Sequence, residues 1–280
     1  MKKNIISVFP FFSVFSVVPL KSLKSLINSS MIPLVSALLP AIVLIAFIYI
    51  KDKQNPEPTW QLVKGVLYGC FSALVAVFLA SPSQALFFFL PGLQTTILGS
   101  FWQSFMGAAI PEECAKLLML WLLLRNNPYF DEHFDGIVYA VCVGMGFAGL
   151  ENIMYVFQNM DDWMSVSVAR AIFSVPGHFF FAVSMGYFYS CVHFHTASTE
   201  KEHRINQIGV LLVPVILHGF FDFFLFVTDL QITLISSICF LLFLILCFYI
   251  SKLGLRRIKH LIELDADPNA DAEVTEFEEM

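Results

Sequence analysis

The chain has 280 residues, of which 58% are hydrophobic and 14% are charged, and its mean hydropathy is +0.74. A soluble globular protein carries about 25% charged residues, so this composition excludes a soluble domain, a disordered chain and a nucleic-acid-binding protein. The formal net charge of −6 reflects an acidic stretch that begins at Glu263 and contains no Lys or Arg. We therefore predict an all-α, polytopic membrane helix bundle.

Seven segments have the roughly 20 mostly apolar residues that a membrane-spanning helix needs. They are residues 31–50, 60–80, 97–124, 136–158, 168–192, 206–226 and 231–251. Residues 4–20 follow two lysines as in a signal peptide but have no clear cleavage site, which favours an uncleaved anchor or interfacial segment. Residues 83–95 are broken by a Pro-Gly pair and fit a re-entrant or interfacial piece, or part of another span. The bundle is thus expected to have about seven or eight spans.

The predicted organisation has three parts. An N-terminal apolar and basic extension covers residues 1–30, and a membrane-embedded domain covers residues 31–251. Residues 252–280 are predicted to be cytoplasmic, with a basic flank followed by an acidic, disordered tail from Glu263 onward.

Lys and Arg in short loops predict the orientation, because they favour the cytoplasmic side of the membrane. Four cations place the C-terminal flank in the cytoplasm: Lys252, Arg256, Arg257 and Lys259. Counting back along the spans, the basic loops 125–135 and 193–205 are also cytoplasmic. The loop 159–167 has two aspartates and no cation, and is predicted to lie outside.

Seven ionisable side chains interrupt the apolar spans, where a charge is costly unless it is paired or lines a wet cavity. They are Glu112, Glu113, Lys116, Glu151, His178, His218 and Asp222. In the predicted orientation they lie at the middle or in the outer half of the bilayer, on four separate spans. Scattered structural polar residues have no reason to share a depth, whereas a single cavity open to the outer face requires it.

The spacing of these residues indicates pairs. Glu112 and Glu113 lie four and three residues before Lys116, so the lysine can neutralise one carboxylate while the other is a candidate general base or acid. His218 and Asp222 are four apart, as for a carboxylate that orients an imidazole. Each pair by itself also fits a structural clamp or hydrogen bond, but their shared depth favours a site.

Three motifs in chain order resemble those of the PrsW family of intramembrane proteases: Glu112-Glu113-x-x-Lys116, Phe147-x-x-x-Glu151 and His218-x-x-x-Asp222. The resemblance covers approximately residues 35–250 and includes His178, where the family has an additional histidine. It also includes the stretch 135–155 and Asp52 followed by Pro56-Glu57-Pro58. The related CAAX prenyl endopeptidases and CPBP proteins carry His where Glu151 stands and Asn where Asp222 stands.

The resemblance implies an intramembrane protease of a bacterial cytoplasmic membrane. It cuts a membrane-anchored protein near the outer face, as in first-site cleavage of an anti-sigma factor. In the mechanism that we predict, Glu113 or Glu112 activates a water, and His178 and His218 stabilise the developing oxyanion or protonate the leaving amine. Asp222 orients His218, and Lys116 tunes the glutamates.

The resemblance favours a metalloprotease, and ligand chemistry permits zinc held by His178, His218 and Glu113. The alternative is a metal-free site with a glutamate-activated water, since the sequence contains no His-x-x-x-His pair.

Two other classes of function fit the same residues. Intramembrane Glu, His and Asp also form the proton relays of transporters and channels, although no inverted repeat is visible. A non-catalytic regulatory or immunity-type membrane protein is the third class, and the presence of every motif residue argues against it. The expected partners are a membrane-anchored protein substrate and the lipid bilayer, and no nucleic acid.

Overall fold

A computed structural model of the protein describes residues 23–52, 55–230 and 233–266, with side chains from residue 31 onward except that of Thr233. The predicted apolar segment 4–20 and the tail 267–280 lie outside the described residues. In the described part the chain forms helices and turns only, which confirms the all-α prediction. The helices are α1 (Leu23–Lys51), α2 (Thr59–Phe88), α3 (Ile97–Trp102), α4 (Ile110–Leu124), α5 (His133–Gln158), α6 (Trp163–Ala169), α7 (Val175–His193), α8 (Glu200–Asp229) and α9 (Thr233–Ala266).

Two helical segments change pitch without breaking. Residues Gln103–Ala109 are π-helical and join α3 to α4, and Arg170–Ser174 are π-helical and join α6 to α7. Residues 97–124 and 163–193 are therefore each one continuous helical run. Each π-helical segment lies just before a residue of the predicted site, Glu112 in one case and His178 in the other.

Six helical stretches in the described residues are long and apolar enough to cross a membrane, judged by length and composition. They correspond to six of the seven predicted spans. The seventh, residues 97–124, is the run that carries Glu112, Glu113 and Lys116. Residues 83–88 continue α2, so the stretch 83–95 does not form a separate span.

The central helix of the bundle is α5. In its apolar stretch 78% of the residues are buried, against 17% in α9. The close approach of α2 to α5 depends on glycine, because a Cβ at Gly146 would collide with the backbone of Val66 and one at Gly69 with that of Val143. The backbones of α2 and α5 are therefore in direct contact at these glycines.

The last helix is longer than predicted. The expectation that the chain is disordered from Glu263 onward is wrong for residues 263–266, because α9 continues to Ala266 and the basic residues 252–259 lie within this helix. Ile258 and Leu261 are buried in the largest apolar cluster of the core. Asp265 accepts hydrogen bonds from the backbone N–H groups of His133 and Phe134 at 2.9 and 2.8 Å, and so caps the start of α5.

The bundle has two different ends. At one end, here called the basic end, lie the first turn of α5, the loops 125–132 and 194–199, and the last turns of α9. Its cations include Arg125, Lys201, Arg204 and the four of 252–259. At the opposite end, here called the cavity end, α2, α5 and α8 finish and α3, α6 and α9 begin.

Candidate active site

A cavity of about 430 Å³ opens at the cavity end of the bundle. Its walls come from the late turns of α2, α5 and α8 and the early turns of the runs 97–124 and 163–193. Five of the seven predicted site residues line it: Glu112, Glu151, His178, His218 and Asp222. The sequence therefore identified groups that four separate helices bring to one place.

Glu113 does not line the cavity, and the expectation that it does is wrong. Its side chain is fully buried, with 0% exposed, behind the cavity wall. One oxygen, Oε1, accepts hydrogen bonds from Lys116 Nζ and from His218 Nδ1, both at 2.8 Å. Adjacent side chains on a helix point about 100° apart, so Glu112 faces the cavity while Glu113 faces the neighbouring helices.

Lys116 links the buried parts of the site. Its ammonium donates to Glu113 at 2.8 Å and to Nδ1 of His178 at 3.1 Å, and lies 3.6 Å from Glu112 Oε2. It also lies 4.0 Å from the ring centre of Phe147, which explains the phenylalanine of the second motif by a cation–π contact. As predicted, the lysine neutralises one glutamate more closely than the other.

His178 is held from both sides. Because the ammonium of Lys116 can only donate, Nδ1 of His178 accepts, and Nε2 donates to Glu151 Oε2 at 2.9 Å. The same carboxylate oxygen accepts from Arg170 Nη2 at 2.6 Å. Arg170 also donates to Asn152 and lies over the ring of Tyr155 at 4.0 Å.

Arg170 is a site residue that the sequence reasoning missed. It is the cation that pairs with Glu151, and it lines the cavity. The signal was present, because an arginine inside an apolar span needs a buried partner or a wet cavity.

His218 presents one ring nitrogen to the cavity. Its Nδ1 donates to Glu113, so Nε2 faces Asp222 Oδ2 at 3.3 Å and Glu112 Oε2 at 3.9 Å. The ring of Phe181 stacks on the imidazole with ring centres 4.9 Å apart. Orientation by Asp222 was expected, but the shorter bond that fixes this ring comes from Glu113.

A metal-ligand set exists in the cavity. One ligand atom from each of Glu112, His178 and His218 lies within 4.8 Å of the other two. Glu112 Oε2 is buried and has no hydrogen-bond partner among the described residues. Two histidines and a glutamate form a donor set of catalytic zinc sites. The geometry thus favours Glu112 over the predicted Glu113 as the carboxylate of this set.

Comparisons with known proteins give a consistent result. A family described as "PrsW family intramembrane metalloprotease" matches residues 57–250. A protein named Protease PrsW from Clostridioides difficile is 32% identical over 192 residues, which cover 68% of this chain and 78% of the relative. The Protease PrsW of Bacillus subtilis is 33% identical over 187 residues, covering 66% and 79%. No solved structure matches the chain.

Proposed function

The chain belongs to the PrsW family of intramembrane metalloproteases, and from this premise we propose that it cuts a membrane-anchored protein at the outer face of the membrane. The chain is an intramembrane protease; the side of cleavage, the residue roles and the substrate class are the proposal. One observation carries it: five ionisable side chains from four helical runs converge in one cavity that opens at a single end of the bundle.

The side of cleavage follows from charge. The loops and helix ends at the basic end carry most of the Lys and Arg of the described loops, whereas Asp161 and Asp162 lie in a turn at the cavity end. Cytoplasmic loops are enriched in Lys and Arg, so the cavity end faces outward. An outward cavity suits an extracytoplasmic segment of a membrane-anchored regulator such as an anti-sigma factor, in a bacterial cytoplasmic membrane.

The residues of the cavity fit a divalent metal ion. Glu112 and His218 would hold it, and Glu112 Oε2 is a buried oxygen without a hydrogen-bond partner among the described residues. His178 would join them through Nε2 only by giving up its bond to Glu151 and taking a proton at Nδ1 in place of the bond from Lys116. His218 donates its other ring N–H to Glu113, which is the arrangement that metal-ligating histidines usually have. When bound, the ion would supply a Lewis acid that polarises the scissile carbonyl.

The chain's own residues position the reacting groups. Glu113 fixes the imidazole of His218 so that Nε2 points into the cavity, and Lys116 holds Glu113 and His178 together. Glu151 is already paired with Arg170. Glu112 would therefore take the proton of the attacking water, or Asp222 would take it when Glu112 serves as a ligand, and the same group would pass that proton to the leaving amine as the C–N bond breaks.

The test uses purified protein in liposomes with a membrane-anchored substrate bearing an extracytoplasmic segment. Glu112→Gln should abolish cleavage while the variant stays folded, because an amide can neither accept the proton of water nor replace a carboxylate as a metal ligand. The exposed Glu263→Gln is the matched control and should cleave normally. A folded Glu112→Gln variant with normal turnover would remove the proposed site.

A further inference from the structure

A second group of carboxylates lies at the basic end of the bundle, far from the cavity. We call it the carboxyl cluster: Asp52, Glu57, Asp131, Glu132 and Asp135. It joins the connection between α1 and α2 to the loop before α5 and to the first turn of α5. Two sets of three ligand oxygens, each within 4.8 Å of one another, share Asp135.

The cluster is buried where charge is expensive. Asp52 and Glu57 are each 4% exposed and Asp135 is 0% exposed. No ion pair with Lys or Arg reaches these three residues within the described part of the chain. Burying several carboxylates without a counter-charge costs several kcal/mol for each ion.

Hydrogen bonds satisfy only some of the buried oxygens of the carboxyl cluster. Tyr139 donates its hydroxyl to Glu57, the backbone N–H of Glu57 donates to Asp52, and Asp135 Oδ2 accepts from the N–H groups of Asp131 and Glu132. The other oxygen of Asp135, Oδ1, is buried and has no partner among the described residues. The carboxyl groups of Glu57 and Asp135 also contact each other.

Two carboxyl groups in contact need a positive centre between them, either a proton or a cation. A single proton would satisfy one pair, whereas Asp135 belongs to two sets of three carboxylates. This count favours a multivalent cation.

We propose that the carboxyl cluster binds a hard divalent cation, Mg²⁺ or Ca²⁺, with Asp135 as its central ligand. Both ions prefer oxygen ligands, and the set contains no nitrogen or sulfur donor, unlike the set in the cavity. The bound ion would fasten the α1–α2 connection to the start of α5, the most buried helix of the bundle. Its role is structural and independent of the proteolytic step.

The test measures thermal unfolding of the full-length protein in detergent after treatment with EDTA. Mg²⁺, Ca²⁺ and Zn²⁺ are added separately to excess. Either Mg²⁺ or Ca²⁺ should raise the Tm by about 5 °C at concentrations near a hundred times Kd. The ion with the larger effect is the one that the carboxyl cluster binds. Asp135→Asn should lose this rise, although its amide oxygen can still accept the two backbone bonds that cap α5.

Two further variants keep the result decisive. Asp131 is exposed, so Asp131→Asn should fold and weaken cation binding at least tenfold in a calorimetric titration, even if Asp135→Asn does not fold. Glu263→Gln, near the same end, should keep the full Tm rise. The absence of any Mg²⁺ or Ca²⁺ effect on the wild type would assign the contact of Glu57 and Asp135 to a shared proton and overturn the proposal. An undiminished effect in Asp131→Asn and Asp135→Asn would overturn it too.

A different observation concerns the cavity wall. Gln103 begins the π-helical segment before α4, lines the cavity and is 7% exposed. Neither its amide nitrogen nor its amide oxygen has a partner among the described residues. An amide that offers one donor and one acceptor matches the C=O and N–H of an extended peptide backbone. We infer, on the basis of the proposed function, that Gln103 binds the backbone of the substrate within the cavity.

The test compares cleavage by Gln103→Leu, Gln103→Asn and the wild type. The leucine variant should raise KM about tenfold with kcat within about threefold, because one substrate amide is left unpaired. The Tm of the leucine variant should not fall, since an unpartnered buried amide is replaced by an apolar side chain of similar size. The increase in KM should be smaller in Gln103→Asn, which keeps an amide. Gln207→Leu, on the exposed surface near the basic end, is the control. An unchanged KM in Gln103→Leu overturns this inference, whereas an inactive wild type would instead contradict the proposed function.

Discussion

Glu112 and Glu113 are neighbours in sequence but occupy different environments. Glu112 borders the cavity, and Glu113 lies behind it in contact with Lys116 and His218. The sequence showed that one carboxylate could be neutralised by the lysine. It could not show which of the two glutamates this is. Sequence spacing identifies residues on the same face of a helix, but it does not identify the helices that pack against that face.

The first prediction separates the two glutamates. Glu113→Gln should lower kcat by about 10–100-fold, because the amide still accepts from His218 but holds its ring less firmly. Glu112→Gln should leave no measurable cleavage. Turnover of the purified variants measures both effects, with circular dichroism as the check on folding. Complete loss in Glu113→Gln together with activity in Glu112→Gln would reverse the assignment.

The second prediction concerns Arg170, the cation that balances Glu151 inside the span. Arg170→Met should destabilise the protein by about 2 kcal/mol, because it leaves the half-buried carboxylate of Glu151 without its cationic partner and with His178 as a remaining donor. The double variant Arg170→Met/Glu151→Gln should regain most of that stability. Denaturation in detergent measures the three variants, and equal destabilisation of the single and double variants would contradict the pairing.

At the scale of elements, the helical runs 97–124 and 163–193 each contain a π-helical segment just before a site residue. The extra residue in each π-turn changes the rotation of the following helix by about 100° relative to a regular α-helix. It thereby sets the direction in which Glu112 or His178 points. No pattern of apolar residues in 97–124 or 168–192 predicted these segments, since both runs satisfy the composition of an ordinary span.

The third prediction follows from this geometry. Deletion of Ala108, within the segment Gln103–Ala109, should restore regular α-helical pitch and rotate Gln103 and the preceding turn away from their present position relative to Glu112. Cleavage should fall at least a hundredfold while the protein still inserts and purifies. Deletion of Gln94, in the exposed turn before α3, is the control and should have a much smaller effect. Normal cleavage after deletion of Ala108 would show that the π-helical segment does not position the site.

The end of α9 shows where charge patterns mislead. The residues after 251 contain four cations and then several acids, which favoured a solvated tail. Ile258 and Leu261 are nevertheless spaced by three and bury the same face against the core, and Asp265 caps α5. The helical spacing was present in the sequence, but the helices that accept this face, α5 and α7, lie more than 60 residues away in the chain.

At the scale of the whole molecule, the sequence predicted the helical class from its composition and the site from the depth of its ionisable residues in the membrane. The helical class and the convergence of Glu112, Glu151, His178, His218 and Asp222 are as expected. Arg170 and Gln103 were not identified, because neither belongs to a spaced pair of ionisable groups. The position of a residue within a span predicts its depth in the membrane. The direction in which its side chain points depends on how the spans pack against one another.

The fourth prediction tests the orientation of the molecule. In a background without the native cysteines, an impermeant thiol reagent applied to intact cells should label Asp161→Cys and spare Lys201→Cys. Both positions are exposed, and they lie at the cavity end and the basic end respectively. Labelling of Lys201→Cys alone would place the cavity on the cytoplasmic side and exclude an extracytoplasmic cleavage site.

The bonds made by Asp265 also define how far the protein can be shortened. A stop codon after Ala266 keeps the acceptor for the N–H groups of His133 and Phe134, whereas one after Leu264 removes it. Two backbone donors at the start of the central helix would then lose their partner, next to the carboxyl cluster. Truncation series, affinity tags and fusion partners for this protein should therefore be placed beyond Ala266.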